Sequence, residues 1–466
     1  MTGAPPIRRL FVANRGEIAV RVIRACQALG IETVLGVSEE DRDSLGARLA
    51  DRSVCIGPAS ASRSYLSIPA LITASVHTAC DAVHPGYGFL SERAEFADAC
   101  AKAGLIFIGP SANAIACMGN KSRARELAVA NDVPVVPGSA PLRDVDDAAR
   151  AVSRLGLPVL LKAAAGGGGR GMRIVEDGNA LRTAYDAARA EALAAFGDGS
   201  LYVERYVRRG RHIEIQVLGD RFGRVIQLFE RDCSIQRRHQ KLIEESPSVS
   251  IQAEERARMA ADAVRLAEAV EYCGAGTIEF IYDLDRGTYH FLEMNTRIQV
   301  EHPVTEAVTD VDLVAEQIRV GAGLPLSLES STLRQNGHAI ECRVNAEDPL
   351  NGFQPCPGVL RDWRPPSGKG IRVDTHCYPG YRVPPYYDSL LAKVIVHADS
   401  RLTAIEAMEA ALREFVIEGV ATTVPFQLAV MRDEDFRAGN VTTAWVEQEF
   451  MERWYNSKTH ERRITQ

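Results

Sequence analysis

The stretch Glu293-Met294-Asn295-Thr296-Arg297-Ile298-Gln299-Val300-Glu301-His302 alternates polar or charged side chains with mostly apolar ones. Such period-two alternation is what a β-strand with one chemical face produces. That face would carry two carboxylates, two amides and a guanidinium, a set able to hold a divalent metal and an anion together. It points to phosphoryl chemistry, although an ordinary half-exposed amphipathic strand has the same pattern. Fully extended, the stretch outreaches a single reaction centre. The strand is therefore expected to end near Asn295, with the remainder curling around the site.

Two neighbouring apolar segments reinforce this. Glu279 interrupts Gly276-Thr277-Ile278-Glu279-Phe280 and Glu293 interrupts Phe291-Leu292-Glu293, with a turn at Asp285-Arg286-Gly287 between them. A carboxylate on an apolar strand is costly unless paired or metal-bound. If the strands pair through that turn, the two carboxylates face one another and Asn295 adds a neutral oxygen. Oxygen-only donors of this kind suit Mg²⁺ or Mn²⁺ bridging nucleotide phosphates; a salt bridge to an arginine is the alternative.

Upstream, the strand Pro158 to Ala163 runs into Ala164-Ala165-Gly166-Gly167-Gly168-Gly169-Arg170-Gly171, and Met172-Arg173-Ile174-Val175 returns as a strand. Four consecutive glycines cost backbone entropy without adding packing, and bare amides can close over phosphate oxygens. No lysine and hydroxyl follow, so this is not a P-loop; a mobile hairpin lid fits better. Lys162, and Lys121 from another side, could neutralise phosphate together, although either lysine alone would ordinarily be solvated surface. The run Arg231 to Lys241 is either an anion site or a solvated charge run.

The N-terminal third reads as strand Arg8 to Ala13, a turn at Asn14-Arg15-Gly16-Glu17, a helix to Gly30, and a strand Ile31 to Val37. That order makes a βαβ unit of a doubly wound sheet. Asn14-Arg15-Gly16 could bind an anion through backbone amides, but no Gly-x-Gly-x-x-Gly supports a dinucleotide site. His84, in the loop His84-Pro85-Gly86-Tyr87-Gly88-Phe89, is either functional or a packed loop histidine.

At 466 residues the chain exceeds one compact core, and three or so packed units are expected. A net charge of -7 and a pI near 5.9 argue against nucleic acid or anionic lipid as partner. No run approaches the roughly 18 apolar residues of a bilayer span, and Met1 to Pro6 has no signal core. The chain reads as cytoplasmic. Its ten cysteines include no Cys-x-x-Cys pair, so buried thiols are expected, not structural zinc or disulfides.

Taken together these residues closely resemble biotin carboxylase, a member of the ATP-grasp ligases, from about Ile7 to about Glu449. The motifs are specific: Ala13-Asn14-Arg15-Gly16-Glu17-Ile18-Ala19, His84 to Phe89, the glycine loop with Arg170-Gly171-Met172, Arg231 to Lys241, Glu293 to Thr305, and Glu341-Cys342-Arg343-Val344-Asn345-Ala346-Glu347-Asp348-Pro349. The resemblance implies an α/β and α+β multidomain chain of ATP-grasp fold. Residues 1–118 would form a doubly wound pre-ATP-grasp domain and 119–330 the ATP-grasp domain with a mobile lid at about 137–207. Residues 331–450 would form a C-terminal biotin carboxylase domain, followed by a tail over 451–466.

The implied reaction takes ATP and bicarbonate to carboxyphosphate and then carboxylates N1′ of carrier-bound biotin. ATP would be bound by Lys121, Lys162, Gly168, Gly169, Glu204, Arg205, Tyr206, Val207, His212, Gln236, His239, Glu279 and Glu293. Glu279, Glu293 and Asn295 would hold the metal. Lys241, Arg297, Gln299 and the Val300 backbone would hold bicarbonate, with Glu301 as the base, and Arg343 would stabilise the oxyanion on biotin. The sequence departs from the family pattern at Ala165, Asn120 and Cys356. No Ala-Met-Lys-Met-type attachment sequence is present, so a separate biotin carboxyl carrier protein and carboxyltransferase subunits are the expected partners, with a homodimer plausible. An acetyl-CoA carboxylase subunit of fatty acid synthesis is the favoured setting; a carboxylase for pyruvate, 2-oxo acids or other acyl-CoA shares every motif. A different ATP-grasp ligase and a catalytically silent nucleotide-binding subunit are the competing readings.

Overall fold

The computed structural model describes residues 7–164 and 171–464, with side chains described through residue 457. Strand alternation organises the N-terminal unit. Along Arg9–Val12, Leu10 and Val12 enter one core with Ile18, Val22 and Ile23 of the helix Gly16–Ala28, while Phe11 enters a second core with Leu71, Phe96 and Cys100. A strand buried on both faces needs helices on both faces, and that requirement gives a parallel sheet. Its order is Arg52–Gly57, Glu32–Ser38, Arg9–Val12, Ala82–His84, Ile106–Phe107, the doubly wound arrangement expected from the sequence.

Beyond the helices Ala112–Gly119 and Lys121–Ala130, a small lobe carries three antiparallel strands in the order Arg173–Val175, Val159–Ala163, Leu201–Arg205. The helices Val145–Leu155 and Leu181–Phe196 cover it, burying Val159, Leu161, Leu201 and Val203 against Leu181 and Tyr185. The glycine loop between the first two strands, including Gly168 and Gly169, lies outside the described residues.

The remaining chain is built on one antiparallel sheet of eight strands. Its order is Thr288–Asn295, Gly274–Asp283, Gly210–Gly219, Val225–Arg237, Gln240–Ser246, His338–Asn345, Leu390–Ala398, Ile371–Thr375. The sheet crosses the boundary expected near residue 331: Gln240–Ser246 pairs with His338–Asn345 in the register Ile243↔Cys342 and Glu244↔Glu341. Nothing local in the sequence announces a pairing between strands about a hundred residues apart. One part of the sheet packs Ile213, Ile215, Ile278 and Phe280 against the helix Ala253–Glu268, and another packs Ile340 and Val394 into a core with Trp363, Phe426 and Trp445.

Two sequence expectations need refining. The run Arg231 to Lys241 divides between its two readings: Arg231, Asp232, Cys233 and Ser234 are buried inside the strand Val225–Arg237, whereas Arg238, His239 and Gln240 are exposed at the turn into Gln240–Ser246. The thiols are less uniformly buried than expected, since six of the ten are buried and Cys55 is exposed; all ten are free.

Candidate active site

The Thr288–Asn295 strand ends at Asn295, and residues 296–301 lead into the helix His302–Thr309. The opening alternation thus divides into a strand terminus and a loop, as expected. The register sets the chemistry: Glu293 lies opposite Glu279, Glu279 opposite Glu214, and Glu214 opposite Arg231. Residues paired directly across antiparallel strands share a face, so four strands contribute one charged row. Leu292 is the extra residue of a bulge beside Glu293, and bulges re-aim side chains next to functional sites.

Three adjacent carboxylates repel, and cations offset them. Arg231 is fully buried, with Nε 2.6 Å from Glu214 Oε1 and further bonds to Gln216, Thr277 and Thr305. The Lys241 ammonium contacts Glu214 at 2.5 Å, Glu279 at 2.9 Å and Glu301 at 2.6 Å. His212 Nε2 lies 3.2 Å from Glu279. Burial pulls the His212 ring down, but Glu279 outweighs it and lifts the pKa to about 9. Burial raises Glu279 in turn, while Lys241 and then His212 hold its carboxyl down at about 2. For Glu301, burial is likewise outweighed by Lys241, and the carboxyl stays ionised below the usual range.

Around Glu301 the contacts converge from three sides. Arg343 Nη2 reaches Oε2 at 2.9 Å and also binds Glu244, whose burial pushes its carboxyl up to about 7. Cys233 Sγ lies 3.9 Å from Oε1. Arg297 bonds Gln299 at 2.9 Å and Asn295 at 3.1 Å, and Asn295 donates to Glu279 at 2.8 Å. From the N-terminal unit Glu92 reaches Arg297 Nε at 3.0 Å and accepts from the Thr296 amide.

A cleft of about 870 Å³ opens over this face. Its walls bring together Lys121, Lys162, Glu204, His212, Gln236, His239, Lys241, Glu279, Glu293, Asn295, Arg297, Gln299, Val300 and Arg343. Lys162 pairs with Glu204 at 2.9 Å, and Lys121 lies 3.4 Å from Glu293. Burial pulls the Lys162 ammonium down, but Glu204 outweighs it and the pKa ends above its ordinary value. Arg205, Tyr206 and Val207 are not among the lining residues; the Arg205 side chain reaches His290 at 3.1 Å instead, because strand alternation turns it away from Glu204.

Asn14, Arg15 and Gly16 line the cleft, and contacts within the N-terminal unit fix the first two side chains. The Asn14 side chain donates to the carbonyls of Pro85 and Tyr87, both at 2.7 Å, and Arg15 forms a buried pair with Asp41. Gly86 has φ +62° and a Cβ there would meet Asn14 Nδ2 at 2.9 Å, so this position requires glycine. His84 is fully buried, accepts from the Gly86 amide, and burial pulls its ring down to about 3, which makes it a packed loop histidine.

Sequence reading missed Glu214, Glu92, Lys393, Glu244 and Tyr202, a cleft-lining residue whose ring lies 5.6 Å from the Lys162 ammonium. Glu214 alone had a local signal: His212, Glu214 and Gln216 alternate with Ile213, Ile215 and Val217 on one strand.

Residues 6–115 match the family described as biotin carboxylase, N-terminal domain, residues 120–329 the carbamoyl-phosphate synthase L chain, ATP binding domain, and residues 341–448 the biotin carboxylase C-terminal domain. The chain is 50% identical over 442 residues to biotin carboxylase 1 of Bacillus subtilis, covering 95% of this chain and 98% of that protein. It superposes on a crystal structure of a biotin carboxylase–β,γ-ATP complex from Campylobacter jejuni with a TM-score of 0.92 and 46% identity, covering 95% and 99% of the two chains. It superposes with a TM-score of 0.90 and 46% identity on the biotin carboxylase domain dimer of Hydrogenobacter thermophilus 2-oxoglutarate carboxylase, in complex with MgADP, ADP and bicarbonate, covering 95% and 98%.

Proposed function

The chain belongs to the biotin carboxylase family, and from that premise we propose that it uses ATP and bicarbonate to carboxylate N1′ of biotin held on a separate carrier protein. The observation that carries this reading is the buried Glu301 carboxylate held between Lys241 and Arg343, both of which line the same cleft as Lys121 and Lys162. It joins a phosphate end to an anion end.

In this reading bicarbonate enters among Lys241, Arg297, Gln299 and the Val300 backbone. Lys241 is shared by three carboxylates, so an incoming anion draws on the ammonium that holds Glu301 down, and the base strengthens as its substrate binds. Glu301 removes the bicarbonate proton and the freed oxygen attacks the γ-phosphate, giving carboxyphosphate and ADP. Lys121 and Lys162 hold phosphate oxygens in place. Arg343, anchored by Glu244, then faces the oxyanion that forms on the ureido group.

Glu279 and Glu293, facing one another on paired strands, would hold a metal ion, and Asn295 would join them with its amide oxygen turned from Arg297 towards the ion. Such a set suits Mg²⁺, which neutralises charge between adjacent phosphates.

For the physiological setting we favour the first half-reaction of acetyl-CoA carboxylase in fatty acid synthesis, with carboxyltransferase subunits as partners and a homodimer in the cytoplasm. A second reading, a component of a 2-oxo acid carboxylase, is supported by the similarity to the 2-oxoglutarate carboxylase domain. ATP hydrolysis that depends on bicarbonate, with carboxylation of free biotin, tests the activity; an ATPase rate indifferent to bicarbonate and biotin overturns it. Co-purification with a biotinylated carrier and its carboxyltransferase separates the two settings.

A further inference from the structure

Lys393 is fully buried, and its ammonium reaches three partners from three parts of the chain. It donates to the Val300 carbonyl at 2.9 Å, pairs with Glu17 at 3.1 Å, and lies 3.9 Å from Asp374. The strand Leu390–Ala398 places Lys393 directly opposite Arg343, so both project from one face of the sheet. Arg343 holds the Glu301 carboxylate and Lys393 holds the carbonyl of the residue before it. The Val300 carbonyl and the Glu301 amide belong to one planar peptide. Fixing that oxygen therefore fixes the plane from which the Glu301 side chain departs.

Glu17 extends the contact to the cleft wall. It sits in the first turn of the helix Gly16–Ala28, and the same carboxylate oxygen that pairs with Lys393 accepts from the Tyr87 hydroxyl. Tyr87 and Val300 both line the cleft. Charge balance with Glu17 and Asp374 would not by itself require a bond to a backbone carbonyl of the anion loop.

We infer that Lys393 is a positioning residue for carboxylation: through the Val300 carbonyl it sets the Glu301 peptide, and with it the geometry of the base and its anion, and Glu17 orients the ammonium for that task. The inference rests on Glu301 being the base. Displacing reacting groups by about 1 Å can cost on the order of a hundredfold in rate, so loss of this anchor is expected to act on the bicarbonate step and not on nucleotide binding.

The experiment compares the full-length chain with Lys393→Met, Lys393→Arg and Glu17→Gln, measuring bicarbonate-dependent ATP hydrolysis at varied bicarbonate and at varied ATP. Lys393→Met is expected to raise the bicarbonate KM and lower kcat, each by about tenfold or more, with the ATP KM within about twofold, and Lys393→Arg to recover part of the loss. A fall in kcat alone, with the bicarbonate KM unchanged, marks a structural role and overturns the inference, as does an unaltered enzyme. If Lys393→Met does not fold, Glu17→Gln decides: a raised bicarbonate KM supports the inference and an unchanged one overturns it. Should the wild-type chain show no bicarbonate dependence, the reading of the active site fails instead.

Discussion

The Lys241 ammonium lies 2.6 Å from Glu301 Oε1 while also touching Glu214 and Glu279, so one cation balances three buried carboxylates, two from neighbouring strands and one from the loop before the helix His302–Thr309. A substrate anion entering this site competes for the same charge. Substrate binding and activation of the base are thereby coupled through a single side chain.

Glu301→Gln keeps the shape and the acceptor to Arg343 but cannot take a proton. Bicarbonate-dependent turnover is expected to fall by about 10²- to 10⁴-fold, with ATP affinity nearly unchanged. Steady-state kinetics together with nucleotide titration checks this, and an unaltered rate would remove Glu301 from the role of base.

Lys241→Met should behave differently. It abolishes the anion site and also leaves Glu214, Glu279 and Glu301 with too little positive charge in a buried setting. Removing one partner of a buried ion pair typically costs about 3–5 kcal/mol, so both activity and thermal stability are expected to drop. Adding Glu214→Gln should restore part of the stability and none of the activity. Calorimetry on the single and double variants reads the first effect, and the bicarbonate assay the second.

Which parts of this site were legible in the sequence follows from how each part is built. The strand end at Asn295, the facing of Glu279 and Glu293 across a hairpin, and the doubly wound N-terminal sheet are set by local period and turn residues, and these were read correctly. The row from Arg231 to Glu293 depends on which strands lie side by side, and the anchoring of Arg343 by Glu244 depends on a pairing across about a hundred residues. Beyond the Glu279–Glu293 hairpin and the alternation around Glu214, neither leaves a local pattern. Arg231 stayed undecided for a related reason: within a basic run nothing separates an anion site from a solvated charge until Glu214 is brought opposite it.

Arg231→Met tests that structural reading. With Glu214, Gln216, Thr277 and Thr305 all losing a donor, a destabilisation of about 3–5 kcal/mol is expected. Because the same Glu214 contacts Lys241, activity should fall as well, and Glu214→Gln in the same chain should be less than additive with it. A double-mutant cycle in denaturant measures the coupling; full additivity would show that Arg231 and Glu214 do not act as a pair.

A pH dependence follows from Glu245, on the strand that joins the two halves of the large sheet. Its carboxylate accepts from His338 at 2.9 Å and from Arg401 at 2.6 Å; burial raises its pKa, but these two partners outweigh burial and bring it down to about 2 from an ordinary 4.5. A carboxyl whose folded pKa is depressed stabilises the fold fully above its unfolded value and loses that contribution as pH falls towards the folded value. The difference corresponds to about 3 kcal/mol at neutral pH, present above about pH 4.5 and lost progressively down to about pH 2. Glu245→Gln should therefore melt well below the wild type at pH 7, and the gap between the two should narrow as the pH is lowered through 4.5. A gap in Tm that stayed constant from pH 7 to pH 3 would mean that the ionised carboxylate is not what joins these strands.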